Sequence, residues 1–137
     1  MSRANLSSQE LDELLERPTE EFCRAVRDTQ IEKVTGRPVM DEFIDEDGLS
    51  VSQKANRSDE AVLKAMGKYL HGTVFSFTQE QCSESGQVEP INVEPRRDKD
   101  IYHCEAFGSL AGGPLSAHQA DYLISCLRRV GKIDRHK

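Results

Sequence analysis

Three short runs, 73–79, 88–94 and 101–107, are rich in β-branched and aromatic residues and are cut apart by polar segments at 80–87 and 95–100. Runs of that length and spacing suit an antiparallel meander. Pro90 puts the second run at an edge or breaks it, because proline cannot donate to a strand ladder. A sheet of three strands is too small to close a core alone, so the flanking segments must cover it.

Those segments carry helix signals. Ser7 and Glu10 make an S-x-x-E capping box, with Leu6 and Leu11 at the positions of a hydrophobic staple. Leu11, Leu14 and Leu15 follow as a narrow apolar stripe until Pro18 stops the helix, which is too short to be stable unless packed. Phe22, Ala25, Val26 and Thr29 share one face of a second helix that opens on two acids and also contains Cys23. Ser58 caps a third, with Val62, Leu63, Met66, Tyr69 and Leu70 toward the core and Gly72 as its stop. Ser116 caps the last, whose stripe of Ala117, Ala120, Leu123, Ile124, Leu127 and Val130 ends at Gly131. The expected fold is α+β: one domain over 1–137, its helices flanking a small antiparallel three-stranded meander, with a C-terminal amphipathic helix. Within it, 1–17 forms a capped helix facing a partner or a second copy, 39–57 an acidic mobile loop, and 58–131 a helix–sheet–helix core.

Charge is distributed unevenly. The net charge is −6, yet residues 1–60 hold 15 acids against 8 bases while 61–137 hold 9 against 10. Such a surface repels nucleic acid across its first half and attracts a basic protein. No run approaches the roughly 20 apolar residues of a membrane-spanning helix. The start of the chain lacks the apolar stretch of a secretory signal, and Cys23, Cys82, Cys104 and Cys126 form no C-x-x-C pair. Together these give the expectation of a cytoplasmic protein with reduced thiols and no membrane association.

Several motifs fail at named residues. With Gly48 as the turn glycine of a calcium loop, the first and twelfth ligand positions fall on Phe43 and Lys54, so the bidentate carboxylate is missing. The glycines at 108–114 have phosphate-loop spacing, but Pro114 and Leu115 replace the Lys-Ser/Thr pair. No histidine or cysteine spacing suits zinc, and the sequence gives no reason to expect a metal or cofactor. A weaker pocket, where the third strand and the glycine-rich connection meet the last helix, would use His103, Cys104, Ser109, Ser116 and His118.

The leading expectation is a non-enzymatic protein-binding domain of the adaptor, inhibitor, immunity or chaperone-like kind. Its contacts would be Leu11, Leu14 and Leu15, the acidic residues Asp45, Glu46 and Asp47, and a surface of His118, Tyr122 and Arg129 on the last helix. The partner would be a basic protein or another copy of the chain. A small enzyme or ligand-binding domain built on the 108–114 loop is the alternative. A nucleic-acid-associated regulator acting through Arg128, Arg129, Lys132, Arg135 and Lys137 comes third.

Overall fold

The computed structural model describes residues 6–85, 89–98 and 100–133. It is an α+β domain, but the expected three-stranded meander is overturned. Six antiparallel strands form one sheet in the order β4-β5-β2-β1-β3-β6. They are β1 (Glu21–Val26), β2 (Leu49–Gln53), β3 (Gly72–Thr78), β4 (Asn92–Pro95), β5 (His103–Phe107) and β6 (Arg128–Ile133). Four α-helices accompany them: α1 (Ser8–Leu15), α2 (Asp59–Met66), α3 (Gln79–Glu84) and α4 (Ala117–Cys126).

The three additional strands come from segments read otherwise. β1 replaces the second helix, with Cys23 in a strand, and pairs with β3 along its whole length from Glu21–Thr78 to Val26–Thr73. β2 lies inside the supposed acidic loop, which also forms a 3₁₀ turn at Met40–Phe43. β6 takes the end of the last helix: α4 stops at Cys126 and Leu127 is already extended. Gly131 is therefore a packing residue and no helix stop, since a Cβ there would meet Leu63 Cδ1 at 2.6 Å. α2 also ends before the sequence implies, leaving Tyr69 and Leu70 exposed.

Strand alternation sorts the side chains onto two faces. Phe22, Val26, Leu49, Val51, Phe75, Phe77, Cys104 and Ala106 join the main core with Phe43, Cys82, Leu115, Ala120 and Leu123, under α3 and α4. Phe77 sits at its centre, with ring centroids 5.8 Å from Phe22 and 6.5 Å from Phe43. On the opposite face Cys23, Val74 and Ile133 pack against Val62 and Met66 of α2. α2 covers the β1-β3-β6 half there, while the β2-β5-β4 half presents Ser50, Ser52, His103 and Glu105. An antiparallel sheet can leave one face to water in this way.

α1 closes one end of the sheet. Its capping box forms as the sequence specifies. Leu11 and Leu14 pack with Ala55 beside Ile101 and Tyr102, and Leu15 enters the main core. Below the helix, the fully buried Gln53 donates to Leu11 O and to the Glu20 carboxylate, both at 2.8 Å, and accepts from Arg97 at 3.0 Å. Arg97 also grips Asp12 of α1 at 2.9 Å and donates to Ile101 O. The apolar stripe and the polar clamp tie α1 to its own domain.

Candidate functional site

The ladder between β1 and β2 is short. It joins Phe22 to Gln53 and Cys23 to Ser52, then stops. The next positions in register, Arg24 opposite Val51 and Ala25 opposite Ser50, are not paired, and the strands part. Arg24 fills the gap: its Nη1 donates to Ser50 O at 3.0 Å, and its guanidinium lies 5.9 Å from the centroid of the Phe43 ring.

Above this divergence is an open cleft of about 800 Å³. Its floor is formed by Cys23 and Ala25, at the edge of the α2 contact, and by Ser50 and Ser52 on the half of the sheet that α2 leaves uncovered. One wall is the end of α2 and the turn after it, with Met66, Lys68, Tyr69, Leu70 and His71. The other carries Asp100, Tyr102 and His103, with Arg57 stacked 3.6 Å over the Tyr102 ring.

The cleft reverses the charge of the chain. Arg24, Arg27, Arg57 and Lys68 line it against Glu42 and Asp100, with two histidines besides. These cations have different duties. Arg57 is structural: it donates to Lys54 O, Gln53 O and Ser52 Oγ at 3.0, 2.6 and 3.1 Å, closing the turn in which Ala55 and Asn56 adopt positive φ. Burial holds its pKa below the ordinary value, and the acidic neighbours Tyr102, Cys23, Asp100 and Glu20 counter only part of that. Arg27 and Lys68 are exposed, and no carboxylate among the described residues pairs with either. Both are free to meet an incoming anion.

Cys23 lies on the cleft floor, yet it is no ready nucleophile. Burial first, and then the Glu21 carboxylate, pushes its thiol up to about 12, and a protonated thiol attacks poorly. Burial likewise pushes Cys104 up to about 11 and Cys82 higher still. All four cysteines are free, and Cys126 is the half-exposed one. A thiol reagent at pH 8 should therefore label Cys126 rapidly and the other three only after denaturant is added. Fast labelling of Cys23, located by peptide mass spectrometry, would show that the cleft floor opens in the native state.

The residues expected to form sites fall in different places. Leu11, Leu14 and Leu15 are buried within the domain and offer no free apolar face. Asp45, Glu46 and Asp47 are exposed, with the Asp47 amide donating to Asp45 Oδ1 in a local turn. The His118, Tyr122 and Arg129 surface is dispersed: His118 is exposed on α4, Tyr122 packs against the main core and donates to Glu84, and Arg129 belongs to β6.

The pocket at the glycine-rich connection does not assemble. His103 lines the cleft on the α2 face, whereas Cys104 points through the sheet into the main core below α4. Ser109 donates to Gly112 O and accepts from Ala111 N, so the turn closes on itself, with Gly112 and Gly113 at positive φ. Ser116 caps α4 by accepting from Gln119 N. The sheet separates His103 from the helix that bears Ser116 and His118.

The expected basic tail is structural where it is described. Arg128 joins Glu21 at 2.7 Å and Asp59 at 2.9 Å, and Lys132 pairs with Asp28 at 2.8 Å. Burial opposes ionisation of Glu21, but hydrogen bonds from Arg128 and Ser76 outweigh it and hold the carboxyl below the usual range. Arg135 and Lys137 lie outside the described residues. Removing residues from 128 onward would take away a strand of the sheet as well as charge. Among the described residues no cluster of histidine, cysteine and carboxylate groups could hold a metal, and no helix is long and apolar enough to cross a membrane.

The chain matches no known family model, no curated protein and no solved structure.

Proposed function

We propose that the protein is a non-catalytic protein-binding domain whose cleft holds an acidic, extended segment of a partner. One observation carries this reading: a chain of net charge −6 gathers four permanent cations against two carboxylates around one concavity. Such a field draws anionic groups in and raises their encounter rate. The openness of the cleft toward the polar half-sheet suits an extended chain, and the exposed Tyr69 and Leu70 offer apolar contact at the rim. The protonated Cys23 favours binding over covalent chemistry.

A fluorescein-labelled hexaglutamate peptide, followed by anisotropy with the intact protein, tests the proposal. Binding should weaken steeply between 50 and 300 mM salt, because the Debye length shortens across that range. Replacing both Arg27 and Lys68 by Gln should lower affinity roughly tenfold, from two screened charge pairs of up to about 1 kcal/mol each. No binding by the intact protein, or equal binding by the double variant, would refute it.

A second reading follows from Asp45, Glu46 and Asp47, which are exposed and form no ion pair among the described residues. These three would steer a basic partner. Neutralising them should slow its association at low salt and leave hexaglutamate affinity undiminished.

A further inference from the structure

The geometry points to Arg24 as the anchor for one carboxylate of the bound segment, with Glu42 as a built-in competitor for the same position. The inference rests on the cleft being the binding site, and it names the contact that selects the ligand.

Arg24 is in phase with Phe22 and Val26, the core-facing residues of β1. Its side chain escapes the core because the strands part beside it, which places the guanidinium where the ladder fails. A guanidinium has five donors set in a planar fork that matches a carboxylate. Here Nη1 is used by Ser50 O, while Nε is buried and has no partner among the described residues. A buried donor without a partner is costly, so such groups call for an explanation.

Glu42 supplies part of one. It sits on the Met40–Phe43 turn, and its Oε1 comes within 3.9 Å of Arg24 Nη2. That is close enough for attraction and well beyond the roughly 2.7–2.9 Å of a charge-assisted hydrogen bond. Both side chains are about one-fifth exposed, so the pair lies at the border between cleft and core. Burial holds the Arg24 guanidinium below its ordinary pKa, and the negative field of Glu42 and Asp45 counters only part of that. Glu42 therefore neutralises the arginine without satisfying its fork.

An incoming carboxylate is of the same chemical kind as the group already there, so it can exchange with Glu42 without changing the charge around Arg24. Once Glu42 swings toward solvent, Nη2 and then Nε become open to a two-point contact. The competitor lowers affinity for lone, weakly held anions. A ligand succeeds when further acids engage Arg27 and Lys68 at the same time.

The test uses the full chain and the same hexaglutamate probe. Glu42→Gln removes the competitor and should tighten binding about two- to fivefold, the span of a partly exposed ion pair. Arg24→Lys keeps the charge, loses the fork and should weaken binding about tenfold. Should that variant fold poorly, the Nε–H resonance of Arg24 in the unmodified protein provides an independent measurement and should shift on addition of hexaglutamate. Unchanged or weaker binding by Glu42→Gln, or an Arg24 resonance indifferent to bound hexaglutamate, overturns the anchor. If hexaglutamate still binds and still depends on Arg27 and Lys68, the proposed function survives that result. If the intact protein does not bind the peptide, the function falls first.

Discussion

Phe77→Ala is expected to destabilise the protein by about 3–5 kcal/mol, seen as a large drop in the urea midpoint with little change in slope. Phe77 is 1% exposed and stacks obliquely between Phe22 of the neighbouring strand and Phe43 of the 3₁₀ turn. Truncation forfeits the transfer energy of the ring, leaves a cavity the strand backbone cannot close, and breaks both aromatic contacts. Domains of this size are stable by roughly 5–15 kcal/mol in total, so the variant should be close to unfolding at 37 °C. Phe77→Leu keeps most of the volume and should cost far less, which isolates packing from backbone effects. A loss below about 1 kcal/mol for Phe77→Ala would mean that the ring is not at the centre of the core.

Gln53→Leu is expected to cost about 2–4 kcal/mol although leucine is more apolar and similar in size. The amide of Gln53 donates to Leu11 O and Glu20 and accepts from Arg97, and leucine can do none of this. Glu20 loses a partner at a position only 7% exposed, and the carbonyl in the middle of α1 faces an apolar group. The damage should be local. α1 should loosen while the sheet persists, so a glutamate-specific protease should cut at Glu13 or Glu16, both exposed, in the variant well before the strands unfold. Resistance equal to that of the unmodified protein would show that α1 is held by Leu11, Leu14 and Leu15 without the clamp.

What could be read from the chain depended on how loudly each segment signals. The α1 capping box, the Ser116 cap of α4 and the run that became β3 were legible because short-range chemistry decides them. The segment Glu21–Val26 was not. Phe22, Ala25, Val26 and Thr29 satisfy a helical spacing, and a six-residue strand buried on both faces shows no polar alternation to contradict it. Pairing with β3 along all six positions settles the competition, and those partners lie 47 to 57 residues further along the chain. β2 does alternate, with Leu49, Val51 and Gln53 inward and Ser50 and Ser52 outward, but glutamine in the third inward place disguised it. β6 was hidden by Gly131, which resembles a helix stop until the approach of Leu63 is known.

The cleft was missed for the same reason as β1. Read as a strand, that segment places a charged Arg24 in phase with Phe22 and Val26, a conflict that marks a site once strand is assigned. On a helix the conflict disappears. Arg27 and Lys68 carried no signal of their own, since each is an ordinary surface residue until strand divergence and the end of α2 bring them to one concavity, and His103, a candidate for a different pocket, joins them there.

The narrow β1-β2 ladder has a kinetic consequence as well. It divides the sheet into β4-β5-β2 on one side and β1-β3-β6 on the other, held together by two adjacent rungs. In chain order only β4 and β5 follow one another on the same side, so the backbone crosses the seam on passing from β1 to β2, β2 to β3, β3 to β4 and β5 to β6. Neither side can be completed from a contiguous stretch, and each must wait for residues synthesised much later. Such interleaving raises contact order, which slows folding into the millisecond-to-second range and makes the sheet form as one cooperative unit. The line along which the sheet parts to open the cleft is thus also the line that prevents half of it from folding alone.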